Sequence, residues 1–185
     1  MILHVLGELI LASVCLWAAL RAMMQSEGWR VCGFVLMALG ALTGALEYAG
    51  VSQAQPWHQW AVQCSSHWSL LLIAVGALSG RRGNALVMAI AALLWTVPDA
   101  LVLAANLLAL LVIGWRGRSQ RWPLALIGCA LFVVSGLWVA GPGGWLGTPR
   151  VDLYHLGLAI AVVCWTRAGL HGRWPTPRRT LYPTV

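Results

Sequence analysis

The sequence predicts an all-α polytopic membrane protein, a bundle of seven helices with its N-terminus outside and its C-terminus in the cytoplasm. Three observations carry that expectation. Sixty per cent of the 185 residues are hydrophobic and 9% are charged, at a mean hydropathy of +0.78, whereas a soluble domain carries roughly 25% charged residues. The apolar stretches are long enough to cross a bilayer and are separated by short basic loops. All twelve basic residues are arginine, and a seven-pass threading puts all but one of them on the same side.

The first span is expected over 2–21. Its start, Met1-Ile2-Leu3-His4, lacks the positive region of a cleaved signal peptide, so it reads as a retained helix. Spans two and three follow at 31–50 and 60–79. The stretch between Arg82 and Arg116 is too long for one upright helix and short for two. Its centre, Trp95-Thr96-Val97-Pro98-Asp99, carries a Thr-x-x-Asp capping pattern, and Pro98 disfavours helical geometry at Val97. The stretch is therefore divided at about 82–95 and 97–115. The last spans are expected at 122–140 and 151–169. Residues 1–170 then form the membrane domain, and 171–185 form a basic, proline-containing cytoplasmic tail.

With seven helices, Arg21, Arg30, Arg81, Arg82, Arg116, Arg118, Arg121, Arg167, Arg173, Arg178 and Arg179 share one side and only Arg150 lies opposite. With six, the split is five to seven and orients nothing. The positive-inside rule makes the arginine-rich side cytoplasmic, as expected for a bacterial inner-membrane protein. The net charge of +7 points to anionic lipid headgroups at that face rather than to nucleic acid. Trp29, Trp57, Trp60, Trp115, Trp122, Trp145 and Trp174 fall at span ends, where interfacial anchors belong. Gly40-x-x-x-Gly44 and Gly76-x-x-x-Gly80 would permit close helix contact. Five cysteines without CxxC spacing read as buried small hydrophobes.

The same threading gathers acids and imidazoles near the outer face. His4 and Glu8 are four apart on helix one, and Asp152 and His155 three apart on helix seven, so each pair shares a helix face. Glu47 ends helix two, and Asp99 opens helix five as a cap or a member of the layer. His58 is expected in a loop, solvated. Ser65, Ser66 and His67 are adjacent on helix three and cannot all face inward; His67 is expected to do so, with the serines on its flanks. Several carboxylates in one shallow layer need protonation, histidinium partners, water or a cation. Carboxylates with neutral imidazoles are also ligands for zinc, iron or manganese.

At helix seven, Thr148-Pro149-Arg150-Val151-Asp152-Leu153-Tyr154-His155, followed by an apolar run and Arg167, resembles an uncharacterised family of small bacterial seven-helix membrane proteins. In that family the last helix opens with Asn/Asp-x-x-His, helix one carries an acid, and helix two ends in Gly-x-x-His. Here the last motif is Gly44-Ala45-Leu46-Glu47. More distantly, the Ser/His group on helix three and the histidine on helix seven resemble the CREST superfamily of alkaline ceramidases and adiponectin-type receptors. That resemblance implies zinc held by His67 and His155, with Ser65 or Ser66 and Asp152 in support. The superfamily's helix-seven His-x-x-x-His is not matched, since Val151 and Ala159 flank His155 at that spacing. A zinc would need Glu47, Asp152 or His4 as third ligand, with Asp152 or Glu8 moving the proton.

Three functions follow as expectations. The first is a zinc-dependent hydrolase acting on a lipid amide or ester near the outer leaflet. The second is a non-catalytic subunit or receptor-like protein that binds a small ligand or partner helices. The third is a proton-coupled transporter, with Asn106 near the midplane, or a haem redox protein.

Overall fold

The computed structural model describes residues 2–76, 78, 80–116, 121–139, 144–145 and 148–170; the tail expected at 171–185 lies outside the described residues, as does Trp174. Among the described residues there are seven α-helices: α1 (Ile2–Met23), α2 (Gly28–Tyr48), α3 (Gln55–Val75), α4 (Gly80–Leu94), α5 (Asp99–Arg116), α6 (Trp122–Val139) and α7 (Arg150–Ala168). A two-residue antiparallel pairing, β1 (Gly144–Trp145) with β2 (Thr148–Pro149), precedes α7. Four helices, α1, α2, α5 and α7, are long and apolar enough to cross a membrane. Helix α3 matches them in length, but Gln55, Gln59, Gln63, Ser65, Ser66 and His67 lower its hydropathy. Helix α4 has 15 residues, about 22 Å at 1.5 Å per residue.

The expected break near Pro98 is present, because Trp95–Pro98 leave the helix. Its chemistry differs from the capping pattern. The Thr96 hydroxyl turns back to donate to Leu93 O at 2.9 Å, at the end of α4. Pro98 O instead accepts from Leu101 N and Val102 N, closing the first turn of α5.

Around the bundle the packed neighbours run α1–α2–α3–α5–α6–α7 and back to α1, with α4 against α3. Side-chain contacts give the direction of each helix. Trp29, near the start of α2, donates to Asn84 near the start of α4 at 3.0 Å. Trp68 donates to Ala91 O at 2.9 Å, and Asn106 on α5 donates to Ser66 O at 2.8 Å. Cys129 on α6 reaches Leu110 O on α5. Phe132 on α6 stacks on Trp165 near the end of α7, with ring centroids 5.6 Å apart. Successive helices therefore alternate in direction, and the core of small residues (Ala12, Cys15, Ala38, Ala41, Ala159, Ala161) lets α1, α2 and α7 approach closely.

One end of the bundle is organised by arginines. Arg30, expected at a span end, is 1% exposed. It pairs with Glu27, and its Nε donates to Ile73 O at 3.1 Å. Arg116 donates to Ala74 O at 2.8 Å. Two guanidinium groups thus bond the last carbonyls of α3, where the helix dipole favours cations. A Cβ at Gly76 would lie 2.6 Å from Arg30 Cβ, so this glycine makes room for the arginine. Gly80 has φ +84° and opens α4. Gly76 thus permits the close approach of α2, while Gly80 opens α4.

Removing one member of a buried ion pair leaves the other uncompensated. Arg30→Leu is expected to lower the unfolding free energy by about 3–5 kcal/mol, measured by denaturant unfolding in detergent. The double variant Arg30→Leu/Glu27→Leu should recover more than half of that loss.

Candidate functional site

The opposite end of the bundle carries the acids and imidazoles, and they arrive in pairs from four helices. His4 and Glu8 project from one face in the first two turns of α1. Asp152 and His155 do the same from α7. His4 Nδ1 hydrogen-bonds Asp152 Oδ1 at 2.5 Å, and His155 Nε2 lies 3.4 Å from Glu8 Oε1. The third pair joins α2 to α3, with His58 Nε2 3.8 Å from Glu47 Oε2. Tyr48 packs against the His4 ring, and Tyr154 against the His155 ring, with centroids 5.1 and 5.3 Å apart.

Burial makes these pairings consequential. Glu8 is 2% exposed, and Asp152 and His155 are each 9% exposed. Glu8 and Asp152, both ionised among neutral imidazoles, would leave two negative charges in a low-dielectric end of the bundle. The imidazole facing each carboxylate offsets part of that cost. Hydrogen bonding also places one proton. His58 Nδ1 faces Gly40 O at 3.2 Å, and a carbonyl only accepts, so Nδ1 carries hydrogen and Nε2 is the atom turned to Glu47. Asp152 Oδ2 and His155 Nδ1 are buried without a protein hydrogen-bond partner among the described residues.

Beside the pairs lies a cavity of about 140 Å³, whose walls include Glu8, His58, Ser65, Ser66, Tyr154 and His155. At about 30 Å³ per water in the liquid, it has room for roughly four waters or a group of that size. Gly44 forms part of the support. A Cβ there would overlap the Glu8 carboxylate and lie 3.0 Å from His58 Cε1. Glu8 and His58 thus converge on this glycine, with Glu47 facing His58 from the rim.

His67 is placed elsewhere. Its Nδ1 donates to Gln63 O at 2.9 Å, and its ring packs on Trp95 of α4 at 5.5 Å. Successive helix positions are turned by about 100°, so His67 lies about 200° from Ser65. The face toward the cavity is His58–Val62–Ser65, continued by Ser69, whose hydroxyl bonds Ser65 Oγ at 2.9 Å. His67 is thus buried as expected, but against Trp95 between α3 and α4, and Ser65 and Ser66 line the cavity instead. His58, expected as a solvated loop residue, is half-buried within α3. That helix starts five residues before the expected boundary, with Pro56 in its first turn. The period 58–62–65–69 and that proline are the signals that would have located it. Asp99 is exposed at the start of α5 and stands outside the paired group.

Among the described residues, no group of three His, Cys, Asp or Glu side chains is disposed to hold a metal ion. Of His67 and His155, the ligand pair implied by the CREST resemblance, only His155 lines this cavity. The residues as arranged do not fit that zinc set.

Comparison with known protein families, curated proteins and solved structures found no match.

The close seating of Glu8 against α2 gives a direct test. Gly44→Ala should displace the Glu8 carboxylate and cost about 1–3 kcal/mol, as overpacking does. Gly28→Ala, where a Cβ would meet nothing within 4 Å, should leave thermal unfolding of the detergent-solubilised protein nearly unchanged.

Proposed function

We propose that this chain is an integral membrane protein of the bacterial inner membrane that binds a small cationic group in the Glu8–His58–His155 cavity and releases a proton as it does so. The helices cross the bilayer seven times, with the N-terminus outside. One feature supports that orientation. Exposed Arg21, Arg81, Arg82 and Arg167 lie at the same end as Arg30 and Arg116, where the positive-inside rule and anionic headgroups place them in the cytoplasm. The paired carboxylates then lie toward the outer face.

The observation that carries the ligand class is the cavity wall itself. It presents one buried carboxylate, two imidazoles and two serine hydroxyls, and no arginine among its described residues. Such a wall offers acceptors and no fixed positive charge, so a cation or a strong donor is favoured over an anion. A cation that meets Glu8 replaces the proton the carboxylate shares with His155, which couples binding to proton release. Binding without chemistry matches the receptor-like or subunit role and needs no metal.

A zinc-dependent hydrolase acting on a lipid amide or ester is the alternative. Its support is that His155 Nε2 and Glu8 Oε1, both zinc-compatible donors, face one cavity 3.4 Å apart. It lacks a third ligand among the described residues. Stoichiometric zinc in purified wild-type protein, lost in His155→Ala, would favour it over the cation-binding reading.

In weakly buffered solution, ethylammonium added to nanodisc-embedded protein should bind with release of about one proton. Glu8→Gln should weaken binding by about tenfold or more, the loss expected for a hydrogen bond to a charged group, and abolish the release. Unchanged affinity in Glu8→Gln, or binding without proton release, would overturn the reading.

A further inference from the structure

The polar cavity shares a wall with a second space. Tyr154 lines both the Glu8–His58–His155 cavity and a groove of about 210 Å³ between α6 and α7. The groove is walled by Leu131, Ser135, Leu156 and Ile160, with Gly157 in its lining. Gly157 is required there, because a Cβ at that position would run into Ser135 Oγ. Leu156 and Ile160 are 46% and 43% exposed, so the groove opens on the outer surface of the bundle, the surface that faces acyl chains in a membrane.

Depth agrees with this connection. Tyr154 and Gly157 sit in the first half of α7, and Ser135 in the last third of α6. Both segments belong to the same end of the bundle as the carboxylate–imidazole pairs. A second groove, about 870 Å³ between α5 and α6, is larger. Its lining, from Leu107 to Trp122 and Val134, carries no carboxylate, imidazole or hydroxyl to select a ligand, and it has no wall in common with the polar cavity.

Resting on the cation-binding reading above, we infer that the ligand is a single-chain amphiphile with a cationic head. The head occupies the cavity against Glu8, and the chain lies in the α6–α7 groove. The Tyr154 ring forms the partition, and a change of its side-chain rotamer is the movement that joins the two spaces. Access is then lateral, from the outer leaflet, and the carboxylate–imidazole pairs meet only the head. A groove continuous with a polar pocket buries both halves of such a molecule, apolar against Leu131, Leu156 and Ile160 and polar against Glu8.

The test uses full-length protein in phospholipid nanodiscs and a dodecylammonium probe with a diazirine in its chain, followed by mass-spectrometric mapping after irradiation. Labelling is expected to concentrate on residues 131–135 and 153–160. It should fall at least fivefold in Ile160→Trp, which fills the groove from its exposed side, and in Glu8→Gln. Ethylammonium binding with proton release should persist in Ile160→Trp, showing that this variant is folded and its head site intact. Labelling spread evenly over the lipid-facing helices, or concentrated on α5 and residues 122–130 of α6, overturns the amphiphile inference, and ethylammonium binding in the same preparation leaves the cation-binding reading standing. If wild-type protein binds neither ethylammonium nor the probe, the cation-binding reading itself fails, and this inference with it.

Discussion

A carboxylate buried in a low-dielectric helix bundle needs a partner, and that need shapes one whole end of this molecule. Glu8 is nearly inaccessible, and Asp152 is nine-tenths buried. Each meets an imidazole from another helix, His155 for Glu8 and His4 for Asp152. These reciprocal pairs cross between α1 and α7 in both directions, since each helix contributes one acid and one histidine. The Glu47–His58 pair extends the same arrangement to α2 and α3. With apolar side chains nearly as comfortable in lipid as in protein, such polar contacts do more to fix which faces meet than hydrophobic burial does.

The other end solves a related problem with the opposite charge. Arg30 is buried against Glu27 and the last carbonyls of α3, with Arg116 beside it. Helix α3 is thus held at both ends, by His58 at its start and by two guanidinium groups at its finish. This asymmetry gives the bundle a cationic end and an end of acid–imidazole pairs. The cavity sits in the second of these, bounded by helices that the arginine end keeps in register.

Much of this was legible in the sequence. The number of helices, the interruption near Pro98, and the shared faces of His4 with Glu8 and of Asp152 with His155 all follow from helical period and proline stereochemistry. What the period does not tell is which face turns inward. In a soluble helix the apolar stripe answers that question; here both faces are apolar, so hydropathy cannot distinguish lipid from bundle. That is why His67 was expected in the polar layer: it is buried, but against Trp95, while α3 turns Ser65 and His58 to the cavity. The burial of Arg30 was hidden for a different reason. Its seat depends on Gly76, some 46 residues further on, and no local pattern joins the two. Gly44 shows the converse: a glycine noted for helix contact proved to be the floor on which Glu8 and His58 converge.

The central claim is that the starts of α1 and α7 meet through reciprocal acid–imidazole pairs. It is tested most directly by replacing the five native cysteines with alanine and introducing His4→Cys and Asp152→Cys together. A short bifunctional thiol reagent added to the protein in native membranes should join the two positions within one chain, covalently linking the fragments on either side of a protease site introduced between α5 and α6. Efficient linkage at 4 and 152, with none between 4 and a cysteine placed at Asp99, is the result this architecture predicts. Failure of the 4–152 pair to link in folded protein, or equal linkage to position 99, would contradict it.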